Sequence, residues 1–327
     1  MIYYCTNDLL SAHTNKRCSY FEYYGIKYEL LGISNLSNDD IKQSNKSKFT
    51  TKNRGFSRYF FRLYYALRII LDLRKKKDAK VILRGFEFLF WITLLKKNFF
   101  FELTDIPNVV FNNRILMRIL THMCSRTSII STSPAYLQLL QSDSRLIWHN
   151  VPFLDFDYKR EVALSNINNR VIYAGYLRGL KTLNKEYKWL YSKIDFFGKK
   201  NIRYSSVEIL DENYFGEYFF DDLNKIYLNY LFGYVSDFYG ENSTYNLTNR
   251  LYEVIFNGCI PVHVKIDTVS KYFDDLGIFY ISTKEQLEYA CSMDIDKLKS
   301  IINSNQSVLR EVVLLDFQRL NLHLNEK

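Results

Sequence analysis

Short apolar runs alternate with longer segments of helical period along the whole chain. In the first half, strands are predicted at Ile2–Cys5, Tyr28–Ile33, Lys80–Leu83, Phe99–Leu103, Ser128–Ser131 and Leu146–Trp148. Helical patterns fall at Phe56–Lys76, Glu87–Lys96, Asn113–Ser125 and Pro134–Leu140. The polar stretch Ser34–Lys52 reads as a loop. Residues 155–169 hold no large apolar run and are expected to be an interdomain linker. A second series then begins, with strands at Arg170–Ala174, Ile194–Phe197, Leu231–Val235 and Ile260–Val264. Helices are predicted between them at Lys181–Ser192, Tyr218–Leu228 and Asn249–Asn257, with a helical tail at Asp296–Leu324. Alternating strands and helices predict an α/β protein with parallel sheets. Two such halves predict two doubly wound domains, at 1–155 and 170–300, joined by a linker at 156–169. A last helix, 301–327, is expected to cross back to the first domain. Ligands of such sheets bind at the carboxyl ends of the strands, so a cleft between the domains is the expected site.

Composition refines this picture only in places. The 327 residues exceed what one core usually supports. Five scattered cysteines with no C-x-x-C pair argue against a disulfide framework or a zinc site and suit a reducing, cytoplasmic setting. No signal-peptide pattern opens the chain, and no charge-free apolar run is long enough to span a bilayer. The formal charge is +9, and residues 51–80 carry ten Lys or Arg against two Asp. On the predicted helix there, Phe56, Tyr59, Phe60, Leu63, Tyr64, Leu67, Ile70 and Leu71 are expected to face the sheet. Arg54, Arg58, Arg62 and Arg68 are expected on the other face, with Phe61 and Tyr65 among them. Such a face suits an anionic membrane surface, or is simply solvated. No nucleic-acid-binding motif is present, so no nucleic-acid partner is expected.

The densest candidate chemistry lies in Tyr239–Val264, YGENSTYNLTNRLYEVIFNGCIPVHV. Thr248 is placed as an N-cap, with Asn249 and Arg250 in the first helical turn. Unpaired N–H groups at a helix start favour an anion, and Arg250 adds a full positive charge. Glu253, one turn on, offers a carboxylate to two adjacent hydroxyls of a ribose. An N-capped helix with a solvated Glu–Arg pair fits the same letters. The second domain opens with a strand ending in Gly175, followed by Arg178 and Lys181. The first domain carries Phe99-Phe100-Phe101-Glu102-Leu103-Thr104-Asp105-Ile106-Pro107, a strand ending in two acids. His13 is read as lying in a loop after the first strand, and Arg84 follows the third. There is no Walker loop, no G-x-G-x-x-G after a strand and no isolated D-x-D at a strand end, since Asp155-Phe156-Asp157 falls in the expected linker.

The run N-R-L-Y-E-V-I-F-N-G-C-I-P-V resembles the donor-binding helix and turn of GT-B glycosyltransferases. In the large retaining family, similar to enzymes of bacterial polysaccharide synthesis, a Glu five residues before a Gly binds the donor ribose. Glu253, Gly258 and Pro261-Val262 match that pattern. The family's second Glu, eight residues earlier, is Tyr245 here, and Glu241 is the nearest upstream acid. The wording E-N-S…T-N-R-L…G-C-I-P-V resembles inverting fucosyltransferases and exostosin-like enzymes as well. Family of origin and stereochemistry both stay open. Arg178 and Lys181 resemble the cations that neutralise the donor pyrophosphate. Glu102-Leu103-Thr104-Asp105 resembles the E-L-x-D strand end of the same enzymes.

The resemblance implies a GT-B fold of two Rossmann-like domains. It implies a nucleotide-sugar donor held by Gly175, Arg178, Lys181, Glu241, Thr248, Asn249, Arg250 and Glu253. Asp105, Glu102 or His13 are the implied catalytic groups, with Arg84 on the acceptor side. The acceptor implied is a glycan or an undecaprenyl-diphosphate-linked oligosaccharide, in bacterial O-antigen or capsule synthesis. That work would be done on the cytoplasmic membrane face and without a metal or other cofactor. A non-catalytic GT-B-like protein that binds glycans or tethers a partner is the alternative, kept by Tyr245.

Overall fold

The computed structural model describes residues 1–34, 49–50, 56–140, 168–175, 188–198, 213–217, 223–235, 249–263 and 267–326, apart from short gaps at 8, 10–11, 77–78, 96–98, 105 and 132–133. The chain divides into two compact units, Met1–Phe153 with Leu315–Lys327, and Leu154–Leu314.

Unit 1 is built on a six-stranded sheet: β1 (Ile2–Thr6), β2 (Tyr28–Ser34), β3 (Phe49–Thr50), β4 (Lys80–Arg84), β5 (Phe100–Leu103) and β6 (Ser128–Ser131). Its spatial order is β3-β2-β1-β4-β5-β6, and every pairing is parallel. This is the order of a doubly wound dinucleotide-type sheet, whose strand direction of travel reverses between β1 and β4. Helices α1 (Ala12–Tyr23), α2 (Phe56–Arg74), α3 (Phe86–Leu95), α4 (Asn108–Phe111), α5 (Arg114–Cys124) and α6 (Pro134–Leu139) connect the strands. The central strands are buried along nearly their whole length, which is why they read as continuous apolar runs.

Helix α1 is a correction to the sequence reading, which placed His13 in a loop. The segment AHTNKRCSYFEY shows no apolar stripe. Its buried residues include Thr14, Lys16 and Arg17 as well as Tyr20 and Phe21. Polar side chains occupy part of the inward face, so the periodic signal is lost.

The faces of α2 also differ from expectation. Ala66, Ile69, Ile70 and Leu73 form its buried stripe, while Phe60 and Tyr64, expected to face the sheet, are exposed; Phe61 is exposed as expected. Arg62 does not face outward. It bonds Glu87 of α3 at 2.9 Å and donates to the Asn7 carbonyl at 3.0 Å. Helix α2 has apolar residues nearly all round, so its pattern alone does not choose a face. Arg68 is exposed as expected. Arg54 and the side chain of Arg58 lie outside the described residues.

Unit 2 carries a four-stranded parallel sheet, β7 (Asn168–Ala174), β8 (Ile194–Phe197), β9 (Tyr230–Tyr234) and β10 (Ile260–Val262), in the order β10-β9-β7-β8. Its direction of winding reverses between β7 and β9. Helices α7 (Lys188–Tyr191), α8 (Leu223–Tyr227), α9 (Asn249–Phe256), α10 (Asp267–Leu276), α11 (Lys284–Ser292) and α12 (Ile295–Glu326) complete the described elements. Its core joins Val171, Tyr173, Phe196, Phe232, Tyr234, Ile260 and Val262 with Leu298 and Ile302 of α12. At the other end of α12, Leu320 and Phe317 belong to the core of unit 1, beside Tyr4, Tyr20 and Phe21.

Candidate functional site

In unit 2 the carboxyl end of β7 meets the start of α9. Arg250, in the first turn of α9, donates through Nε to the Ala174 carbonyl at 2.7 Å. Its guanidinium carbon lies 4.1 Å from the centre of the Tyr173 ring. A planar cation over an aromatic face is attracted by the ring's negative quadrupole. Arg250 is thus buried and fixed at two points while keeping its charge at the strand end.

Two glycines make the space. A Cβ at Gly175 would run into Nη2 of Arg250, and a Cβ at Gly198 would run into the carbonyl oxygen of Gly175. Gly198 also has φ +133°, in a region that L side chains rarely adopt. The Gly175 N–H donates to the Phe197 carbonyl at 2.9 Å, and the Gly198 N–H to the Gly216 carbonyl at 2.8 Å. The backbone at the ends of β7 and β8 is therefore drawn tightly together.

Glu253 lies one turn beyond Arg250 and is buried. Its backbone carbonyl accepts from the side-chain amide of Asn257 at 2.8 Å, which closes the end of α9. The turn at Gly258 has φ 73° and leads straight into β10. Arg250 and Gly175 are thus brought together at the carboxyl end of β7, with Glu253 one turn further along α9. Arg178, Lys181, Glu241 and Thr248 lie outside the described residues, as does the side chain of Asn249, whose backbone opens α9.

In unit 1 the predicted residues His13 and Glu102 are brought together from 89 positions apart. His13 Nε2 lies 3.0 Å from Oε1 of Glu102. The same oxygen receives Arg17 through Nε at 2.7 Å and through Nη2 at 2.6 Å. Tyr4 donates its hydroxyl to Oε2 at 2.7 Å. Burial raises the Glu102 pKa, but the Arg17 cation and then His13 outweigh it and hold it well below the usual carboxylate range. Burial, opposed by Glu102 and reinforced by Arg84 and Arg17, holds His13 down to about 3. His13 is then neutral at pH 7, and a neutral imidazole facing a carboxylate carries its proton on Nε2.

Glu102 is thus a buried, ionised group that meets an arginine, a tyrosine and a histidine, and His13 faces it as a neutral imidazole. Both belong to a buried polar hub under the carboxyl end of β1. Arg84 ends β4 and donates to the Thr14 hydroxyl at 3.3 Å. It lies next to the point where the strand order reverses. Asp105 lies outside the described residues.

The sequence reading missed Arg17, Tyr4, Tyr173 and Gly198. A glycine directly after an apolar strand, as in Ile194–Phe197 then Gly198, repeats the pattern that drew attention to Gly175 and was a usable signal. Nothing local distinguishes Arg17. Among the described residues no group of three or more His, Cys, Asp or Glu could hold a metal ion. No described helix is long and apolar enough to cross a membrane.

Two parallel, doubly wound sheets define the GT-B fold of two Rossmann-like domains. Compared by sequence, the chain matches no protein-family model and no curated protein. Compared by structure, it is similar to Anabaena HepE in complex with UDP, at TM-score 0.70 and 12% identity over 100% of both chains. It is also similar to a UDP-forming α,α-trehalose-phosphate synthase from Burkholderia xenovorans with glucose-6-phosphate, at TM-score 0.62, 9% identity and 99% of both chains. WaaG, a glycosyltransferase involved in lipopolysaccharide biosynthesis, matches at TM-score 0.52 and 10% identity over 97% of this chain and 95% of its own.

Proposed function

We propose that this protein is a glycosyltransferase that takes a sugar from a nucleotide-sugar and passes it to a glycan or lipid-linked saccharide. The observation that carries the reading is the fixed cation Arg250 at the carboxyl end of β7, held by Ala174 and Tyr173 and given room by Gly175. A leaving nucleoside diphosphate gains negative charge as the glycosidic bond breaks, and a preorganised cation stabilises that charge without reorganising. Arg178 and Lys181, which follow Gly175 in sequence, are proposed to join Arg250 on the pyrophosphate, so the reaction is proposed to need no metal. Glu253 accepts hydrogen bonds from the two ribose hydroxyls. Anabaena HepE, which shares the fold, is seen with UDP and with UDP-glucose. That similarity supports a uridine nucleotide as the first donor to try.

Arg84 is proposed to face the acceptor, and Asp105 is proposed as the group that takes the proton from the acceptor hydroxyl. The work we envisage is the building of a bacterial surface polysaccharide, such as O-antigen or capsule, at the cytoplasmic membrane. The experiment is calorimetric titration with a panel of nucleotide-sugars, followed by hydrolysis and transfer assays with the donor that binds. Binding of one nucleotide-sugar together with turnover is expected. If none binds, the reading fails. If a donor binds and no acceptor or water ever takes its sugar, the chain is instead a sugar-nucleotide-binding protein without catalysis.

A further inference from the structure

Four helices of unit 1 leave large apolar side chains uncovered. Along α5, Ile115 is 69% exposed and Ile119 51% exposed, while Leu120 and Cys124 form the buried side. Helix α5 packs against α3, whose Leu94 is 61% exposed and whose Phe90 is also in solvent. On its other side α3 packs against α2, with Phe60 and Tyr64 in the open. The short helix α4, which precedes α5, ends this band with exposed Val109. Isolated exposed apolar residues are ordinary, but a run across adjoining helices marks an interaction surface.

The charges beside these tips are nearly all of one sign. Arg114 and Arg118 flank Ile115 and Ile119 on α5, and Arg68 lies on α2; all are exposed. Helices α4 and α5 contain no acidic residue. Glu87 of α3 is turned to Arg62, and Asp72, at the end of α2, is the exposed acid among the described residues of the four helices. Aliphatic and aromatic tips ringed by arginines match the interface of an anionic bilayer, where apolar side chains enter the acyl boundary and cations meet the headgroups.

We propose that this face, centred on α5 and α3, docks the protein on an anionic lipid surface. The basic face of α2 singled out in the sequence is at most its margin, since Arg62 points inward. The proposal stands on these helices alone and is read without donor or acceptor, so it holds or fails independently of sugar transfer.

The test is sedimentation of the full chain with phosphatidylcholine vesicles, with and without phosphatidylglycerol. Binding to the anionic vesicles is expected, with clear weakening in high salt. Arg114→Glu with Arg118→Glu is expected to lower partitioning by roughly 30-fold or more, since each basic residue near such a surface contributes about one kcal/mol. Ile115→Ser with Ile119→Ser is expected to lower it too, at unchanged charge. Lys299→Glu, on α12, is expected to have no such effect, and unchanged circular-dichroism melting shows that each variant is folded. Equal binding to both vesicle types, or none, overturns the proposal. So does a dimer in sedimentation velocity that the isoleucine variants abolish, because the face would then be covered by a second copy of the chain.

Discussion

Gly175 lies so close to Arg250 that the arginine's pose depends on the absence of a side chain at 175. The larger Gly175→Val is therefore expected to push the guanidinium off the Tyr173 ring. Loss of a charge-assisted contact of this kind predicts a rise in the nucleotide dissociation constant of roughly 10- to 100-fold. Calorimetry measures it, and an unchanged constant in a folded Gly175→Val protein removes Arg250 from the binding site.

If Glu253 binds the ribose, its loss has a chemical signature. The wild type is expected to bind the ribonucleotide about tenfold better than its 2′-deoxy counterpart, a difference of about one lost charge-assisted hydrogen bond. Glu253→Ala is expected to bring the two affinities together. A persisting preference for the ribonucleotide in this variant assigns the hydroxyls to another group.

The hub around Glu102 predicts how stability depends on pH. Glu102 has a folded pKa below its unfolded value, so its contribution is present above about pH 4.3 and is lost as the pH falls further. His13 is held down to about 3 from its usual value near 6.5, so the unfolded chain binds its proton first. Its effect has the same sign, and stability is expected to decline as the pH falls below about 6.5. His13→Gln is expected to flatten the part of this decline between about pH 6.5 and 4.5, where only His13 of the two is titrating. Thermal melting across that range is the measurement, and equal slopes in the two proteins contradict the assignment.

Arg17→Met leaves Glu102 buried without its cation. Removing one partner of a buried ion pair typically costs about 3–5 kcal/mol, and urea denaturation reads it directly. Arg17→Met with Glu102→Met, which buries no charge, is expected to recover much of the loss. No recovery would mean that the destabilisation comes from packing rather than from the stranded carboxylate.

Asp195 holds Arg170 at 2.5 Å and Tyr230 at 2.9 Å, linking the early part of β7, β8 and the start of β9. It lies away from the carboxyl ends of these strands. Asp195→Ala is expected to lower stability by about 1–3 kcal/mol through loss of its contacts with Arg170 and the Tyr230 hydroxyl. Its nucleotide affinity is expected to match that of the wild type once the protein is folded, as calorimetry below the melting temperature can check.

Much of the fold was legible because parallel strands buried on both faces leave unbroken apolar runs. β1, β4, β5, β7 and β8 fall within a residue or two of their predicted positions. Helix α1 was not legible, because Thr14, Lys16 and Arg17 are buried by partners remote in sequence. Arg17 meets Glu102 across 85 positions. The same kind of pairing hid the true faces of α2, where Arg62 is claimed by Glu87. Within the candidate site, the segment Arg250–Gly258 was legible because a helix start, a charge, a carboxylate and a glycine turn lie within nine letters. The ring of Tyr173 beneath Arg250 was not, since a tyrosine in an apolar strand looks like any other core residue. At the hub His13 and Glu102 were singled out separately, and their pairing with each other, with Arg17 and with Tyr4 had no local signal in the sequence.

Helix α12 has a consequence for how the protein is made. Phe317 stacks on Tyr24 at 3.9 Å between ring centres, and Leu320 joins the core around Tyr4 and Phe21. The described strands and helices of unit 1, through Leu139, leave the ribosome first, yet part of their core arrives about 180 residues later. At about 5–20 residues per second that delay is roughly 9–36 s. Through that interval the nascent first unit exposes an aromatic surface awaiting its last piece, a natural foothold for a ribosome-associated chaperone.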